Sequence, residues 1–191
     1  MLAKTSGRTT ETSSQLSMML AAFSGSRFSR YFQQVEDNGM SKPSNSHRLR
    51  TGRHSGAGQV YLVTATTLDR EPVFADWVLG RMLVREMMNT QDIKLVYSLA
   101  WVVMPDHFHW LFELRDGTLS TLMQRVKSKS AIEVNRARGC EGRIWQRGYH
   151  DKAVRREEDL LGFARYIIAN PLRAGLVKSI RQYPLWDAVW V

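Results

Sequence analysis

Trp101-Val102-Val103-Met104-Pro105-Asp106-His107-Phe108-His109-Trp110-Leu111-Phe112 is the stretch on which the fold turns. Its apolar run is interrupted once, at Met104-Pro105-Asp106, where proline presets the backbone for a tight turn, so it reads as two strands of one hairpin. Side chains alternate across a strand, which puts His107 and His109 on one side and Phe108, Trp110 and Phe112 on the other. Two imidazoles on one side can reach one metal ion, while the aromatics face a core. A bare His-x-His is as often a hydrogen-bonded polar pair as a metal site.

Working outward, residues 59–67 carry Val60, Tyr61, Val63, Thr64, Thr66 and Thr67 and predict a first strand. Residues 74–89 place Phe74, Trp77, Val78, Arg81, Met82, Arg85 and Met88 at helical spacing, so an amphipathic helix follows. The hairpin occupies residues 93–103 and 107–114. Residues 118–138 suit a second helix with Leu119, Leu122, Val126 and Ile132 as apolar positions and a cationic side of Arg125, Lys127, Lys129, Arg136 and Arg138. Residues 143–154 read as an extended segment broken at Gly148. Residues 157–170 form a third helix, opened by Glu157, Glu158 and Asp159 as the helix dipole prefers and ended by Pro171. On it, Tyr166 and Asn170 are i,i+4 neighbours and offer a phenol and an amide oxygen from one face. The order β-α-β-β-α-β plus a helix is the ferredoxin-like α+β pattern with a C-terminal, tyrosine-bearing addition. The first two helices should cover the aromatic face, leaving the histidine face to the third.

A chain of 191 residues is long enough for one domain with a real core, yet too short for a metal-dependent (β/α)₈ hydrolase, whose first strand also often carries His-x-His. Net charge is 27 − 18 = +9, which favours a polyanionic partner, and nucleic acid ahead of membrane because no stretch is apolar for long enough to span a bilayer. Cys140 is the one cysteine, so neither an internal disulfide nor a cysteine zinc knuckle can form, and a reducing cytoplasm suits the chain. Residues 1–47 are rich in Ser and Thr and are expected to be a poorly ordered extension, with the domain proper at 48–191. Met40 is a candidate natural start.

Three blocks in order, Met104-Pro105-Asp106-His107-Phe108-His109, Ile144-Trp145-Gln146-Arg147-Gly148-Tyr149-His150-Asp151, and Tyr166 through Val177, resemble the HUH single-tyrosine endonucleases. The similarity is to the IS200/IS605-like transposases and, within them, the REP-associated tyrosine transposases. It covers roughly residues 48–190. The resemblance implies the ferredoxin-like HUH fold and a nucleophile, Tyr166, that forms a 5′-phosphotyrosine and frees a 3′-hydroxyl. It also implies Mg²⁺ or Mn²⁺ held by His107, His109 and Asn170, and single-stranded DNA bearing REP-like hairpins as substrate. Asparagine four residues after the tyrosine points to the REP-associated branch, and a tyrosine that follows the histidine pair argues against a conjugative relaxase. A monomer and a homodimer both fit, in the cytoplasm beside the nucleoid.

Each residue also has a plainer role. Tyr166 could be a packed helical tyrosine, and Asn170 a helix cap before Pro171. Arg48, Arg50, Arg53 and His54 form a basic, glycine-bearing arm suited to a phosphate backbone or to a solvated tail. Arg125, Lys127 and Lys129 suit either a hairpin stem or an exposed helix face, and Arg173 either phosphate or a carboxylate. His150 reads as a surface or structural histidine, Tyr149 as either a base-stacking platform or a packed aromatic, and Trp145 as core. Two rivals to the enzyme remain: a non-catalytic, sequence-specific hairpin-binding regulator, and a metal hydrolase with an activated water, for which Tyr166 is dispensable.

Overall fold

The structure, a computed structural model, describes residues 56–154 and 160–190. The expectations for the N-terminal extension, for Met40, for Arg48, Arg50, Arg53 and His54, and for Glu157, Glu158 and Asp159 lie outside the described residues. Strands β1 (Val60–Thr66), β2 (Val96–Met104), β3 (His107–Leu114), β4 (His150–Val154) and β5 (Trp186–Ala188) make one antiparallel sheet in the order β4-β1-β3-β2-β5. Helix α1 (Trp77–Asp92) links β1 to β2, α2 (Leu119–Arg138) links β3 to β4, and α3 (Leu160–Ile168) and α4 (Asn170–Arg173) follow. The first four strands have the ferredoxin-like order. β5, which extends the sheet beyond β2, is an addition that three residues of sequence did not announce.

β2 and β3 meet through a two-residue turn, Pro105-Asp106, and its tip is tied to the chain after β1. Thr67 donates to the Asp106 carbonyl through its backbone N–H (2.8 Å) and its hydroxyl (2.9 Å), and the Phe74 N–H donates to the Pro105 carbonyl (2.8 Å). The alternation along β3 is realised as the sequence implies. Phe108, Trp110 and Phe112 are fully buried beside Leu79, Leu83 and Met87 of α1 and Leu122, Met123 and Val126 of α2. Burying each such aromatic contributes about 2–3 kcal/mol before chain entropy is counted. A β-bulge between Ser98 and Ala100 shifts the β2 register, so that Ser98 opposes Phe112 while Trp101 opposes Trp110. Ser98 Oγ there accepts the buried Trp110 indole N–H at 2.9 Å, which meets the one polar demand of that ring.

The opposite face is not bare. α3 packs against β2 and β3, and Phe163, Ala164, Ile167 and Ile168 are buried there, as are Leu62, Val102 and Leu111 on the strands. The sheet therefore lies between two apolar layers, and the histidine face carries a smaller core of its own.

Four local readings are corrected. Phe74 belongs to a 3₁₀ turn (Val73–Ala75), and α1 starts at Trp77 because the Asp76 carboxylate accepts the Val78 N–H at 2.8 Å. Its buried stripe is Leu79, Leu83 and Met87, whereas Trp77 and Val78 are exposed. In α2, Ile132 is exposed, and the helix is bounded by a Thr118/Thr121 capping box and by Gly139, whose φ of 62° suits a left-handed C-cap. Between residues 143 and 154 only His150–Val154 is strand, with Trp145 held by an isolated bridge to Thr67. The third helix stops at Ile168, and Asn170 opens a separate short helix.

Candidate active site

His107 and His109 project from β3 on the face covered by α3, with ring centroids 4.9 Å apart and planes at 77°. The Nδ1 of each ring is engaged. That of His107 lies 2.6 Å from Asp106 Oδ1, and that of His109 lies 2.7 Å from Thr64 Oγ1, its cross-strand neighbour on β1. Nε2 is therefore the nitrogen each ring can offer to an ion, and a carboxylate or hydroxyl behind a ligating imidazole fixes its tautomer and orientation. Asp106 is in turn paired with Arg70 Nη1 at 2.9 Å. Asp69 and Arg70 both adopt left-handed φ values, 51° and 56°, a conformation costly for residues with a Cβ, in the turn that delivers Arg70 to this carboxylate.

Charge at the site follows from these contacts. Burial foremost, with electrostatic contributions from His107, Arg173 and Arg70 behind it, holds the fully buried His109 well below the usual imidazole value, so its ring is the neutral species a metal requires. Asp106 is pushed up by burial, but the His107 hydrogen bond and charge, together with Arg70, outweigh that and keep it lowered and ionised. Tyr183, whose hydroxyl donates to the Val103 carbonyl at 2.7 Å, is pushed up to about 12 by burial and by the Asp106 carboxylate. It is unsuited to act as a nucleophile.

Tyr166 is nearly buried on α3, at 8% exposure. Pro171 explains the arrangement after it. Proline lacks the N–H that would close the helix onto Ile167, and the Asn170 side-chain amide donates to that carbonyl instead, at 3.1 Å. Arg173 Nη1 donates to the Tyr166 carbonyl at 2.7 Å, Nη2 donates to Asn170 Oδ1, and the guanidinium carbon lies 3.7 Å from the Tyr166 ring centroid. Asn170, 4% exposed, thus supports the helix break while its carbonyl oxygen serves Arg173. No group of three or more His, Cys, Asp or Glu side chains gathers among the described residues, so an ion held by the two imidazoles would need another protein donor such as the Asn170 amide oxygen, which here accepts from Arg173. A nitrogen, nitrogen, oxygen set with water completing the shell fits Mn²⁺ well and Mg²⁺ less well.

The other candidates separate. Lys127 turns its ammonium to the Gln146 carbonyl (2.8 Å) and to the Gly148 carbonyl (2.5 Å), so it braces the loop before β4. Arg125 and Lys129 lie on α2, across the sheet from the histidines, and Lys129 is exposed. His150 faces the histidine side one strand beyond Thr64, while Trp145 and Tyr149 are core. Thr64, Arg70 and the orienting role of Asp106 were not anticipated. Asp106 adjoins His107 in sequence and could have been suspected, whereas Thr64 is found only through the β1–β3 register.

Comparison with known proteins bears on the family and the fold. The family described as IS200-like transposase matches residues 58–170, more than half of the chain. A REP-associated tyrosine transposase of Escherichia coli (strain K12) is 31% identical over 87 residues, covering 44% of this chain and 50% of that protein. A putative REP-associated tyrosine transposase of Haemophilus influenzae is 30% identical over 98 residues, covering 46% of this chain and 56% of that one. The matches thus span about half the length of these curated relatives. A solved structure of a REP-associated tyrosine transposase bound to a REP hairpin superposes with a TM-score of 0.58 at 24% identity, over 70% of this chain and 79% of the other, and shows the shared fold.

Proposed function

The chain belongs to the IS200-like transposase family, and on that premise we propose that it is a metal-dependent single-strand DNA endonuclease and strand-transfer enzyme acting on hairpin-bearing, REP-like DNA. The observation that carries the reading is the pair of oriented imidazoles set on the sheet face against which the Tyr166 helix packs. A relative of the same fold is seen with a REP hairpin, which supports the choice of substrate. His107 and His109 through Nε2, and Asn170 through Oδ1, would hold Mg²⁺ or Mn²⁺, which when bound polarises the scissile phosphodiester. Tyr166 Oη attacks phosphorus and loses its proton to solvent. The bond to the 3′ oxygen breaks, leaving a 5′-phosphotyrosine and a free 3′-hydroxyl, so the bond energy is kept for rejoining. Asp106 and Thr64 orient the two rings through Nδ1.

The test is a denaturing gel of the protein with end-labelled single-stranded hairpins, with and without Mn²⁺ or Mg²⁺. A metal-dependent protein–DNA adduct that Tyr166→Phe abolishes is expected. Cutting by Tyr166→Phe without an adduct would instead make the chain a hydrolase. Hairpins bound but uncut in every metal would make it a regulatory binding protein.

A further inference from the structure

We propose that Arg173 is a latch on the nucleophile segment: its guanidinium holds the Tyr166 ring and Asn170 Oδ1 as one unit and must give up that oxygen before a divalent cation can take it. The inference rests on the reading above, in which Asn170 joins the histidines as a ligand.

Three contacts from one side chain make the latch. Nη1 is on the Tyr166 carbonyl at 2.7 Å, Nη2 is on Asn170 Oδ1, and the guanidinium carbon lies over the phenol ring, 3.7 Å from its centroid. An amide oxygen has a second lone pair, but a guanidinium is permanently charged and opposes a divalent ion on the same atom. Its positive charge also bears on His109. The Asn170 amide nitrogen is committed to the Ile167 carbonyl, so the amide cannot flip to offer a different atom. Arg173 itself is an exposed residue at the end of α4, where solvent or an incoming phosphate can reach it. Arg173 is thus a positioning residue. It seats the tyrosine and lowers the cation affinity of the free protein, so that ion and phosphodiester are taken up together.

Calorimetric Mn²⁺ affinity of the DNA-free protein reads this directly, in the parent, Arg173→Met, Arg173→Lys, Asn170→Ala and the Arg173→Met/Asn170→Ala pair. Arg173→Met should bind Mn²⁺ roughly tenfold more tightly, as expected for removal of one coupled contact. Arg173→Lys, which keeps the charge but not the fork, should gain less, and the gain should vanish in the Asn170→Ala background. Unchanged or weaker binding in Arg173→Met overturns the latch, as does an equal gain without Asn170. Binding that His107→Ala does not abolish, or no binding in either the parent or Arg173→Met, overturns the latch and the metal reading together. Should Arg173→Met fail to fold, the parent gives the answer by NMR. On Mg²⁺ addition the Asn170 side-chain amide resonance should move with the His107 and His109 rings, and an Asn170 signal that stays fixed while the rings shift refutes the proposal.

Discussion

A histidine ring can present either nitrogen, and at this site the neighbours choose. Asp106, steadied by Arg70, takes Nδ1 of His107, and Thr64 takes Nδ1 of His109. Sequence places both rings on one side of a strand, since alternation is a property of the strand itself. It says nothing of Thr64, which meets His109 across 45 residues of chain only after β1 and β3 pair. The burial of His109 has a consequence for stability. Its value in the folded chain lies well below the ordinary 6.5, so the unfolded chain takes up a proton first as pH falls through that value, and folding stability drains away below it. Metal-free protein should therefore lose thermal midpoint between about pH 7 and about pH 5, and His109→Gln should flatten that slope. Equal slopes in parent and variant would mean that His109 is not held neutral.

At the scale of elements, the helix and strand types are legible, but the faces and ends are less so. Residues 74–89 have two candidate stripes, and the periodicity that includes Trp77, Val78 and Met82 is as regular as the buried one through Leu79, Leu83 and Met87. What decides is the partner. Gly80 lies on the buried side, and a Cβ there would stand 2.4 Å from Leu185 Cδ1. The close approach of the C-terminal segment to α1 thus depends on a missing side chain. Gly80→Ala gains about 1 kcal/mol of helix propensity and loses about 1–3 kcal/mol to overpacking, because Leu185 is itself buried. A net loss of about 1 kcal/mol, seen as a lower urea midpoint, is expected. A raised midpoint would mean that Leu185 repacks freely. The Pro171 break is a second case: sequence marks where the helix ends, whereas the recruitment of Asn170 and Arg173 to the carbonyls near the break is a three-dimensional matter.

At the scale of the whole molecule, positive charge is not confined to the histidine side, where Arg70 and Arg173 sit. The net charge of +9 belongs to the full chain, while Arg125 and Lys129 lie on the helix layer opposite the histidines. If a strand that neutralises about four phosphates occupies the protein, affinity should fall roughly 50-fold between 50 and 200 mM salt. Arg125→Ala with Lys129→Ala should reduce the slope of log affinity against log salt by about one to two units if the stem lies on α2. An unchanged slope would clear α2 of any role. The overall fold class was legible because six elements alternate in a known order. The second apolar layer under α3 was not, since its residues come from β1, β2, β3 and a helix distant in sequence, and an apolar run such as Trp101-Val102-Val103 does not say which partner covers its second face.

The alternation along β3 also governs error. A slip of one residue against β1 or β2 would turn Phe108, Trp110 and Phe112 out of their core and drive two imidazoles into it, so such a chain would not hold together. Folding is therefore a proofreading step for the reactive face. Any chain that has built the aromatic core already carries its two rings on the opposite face, with His109 beside Thr64.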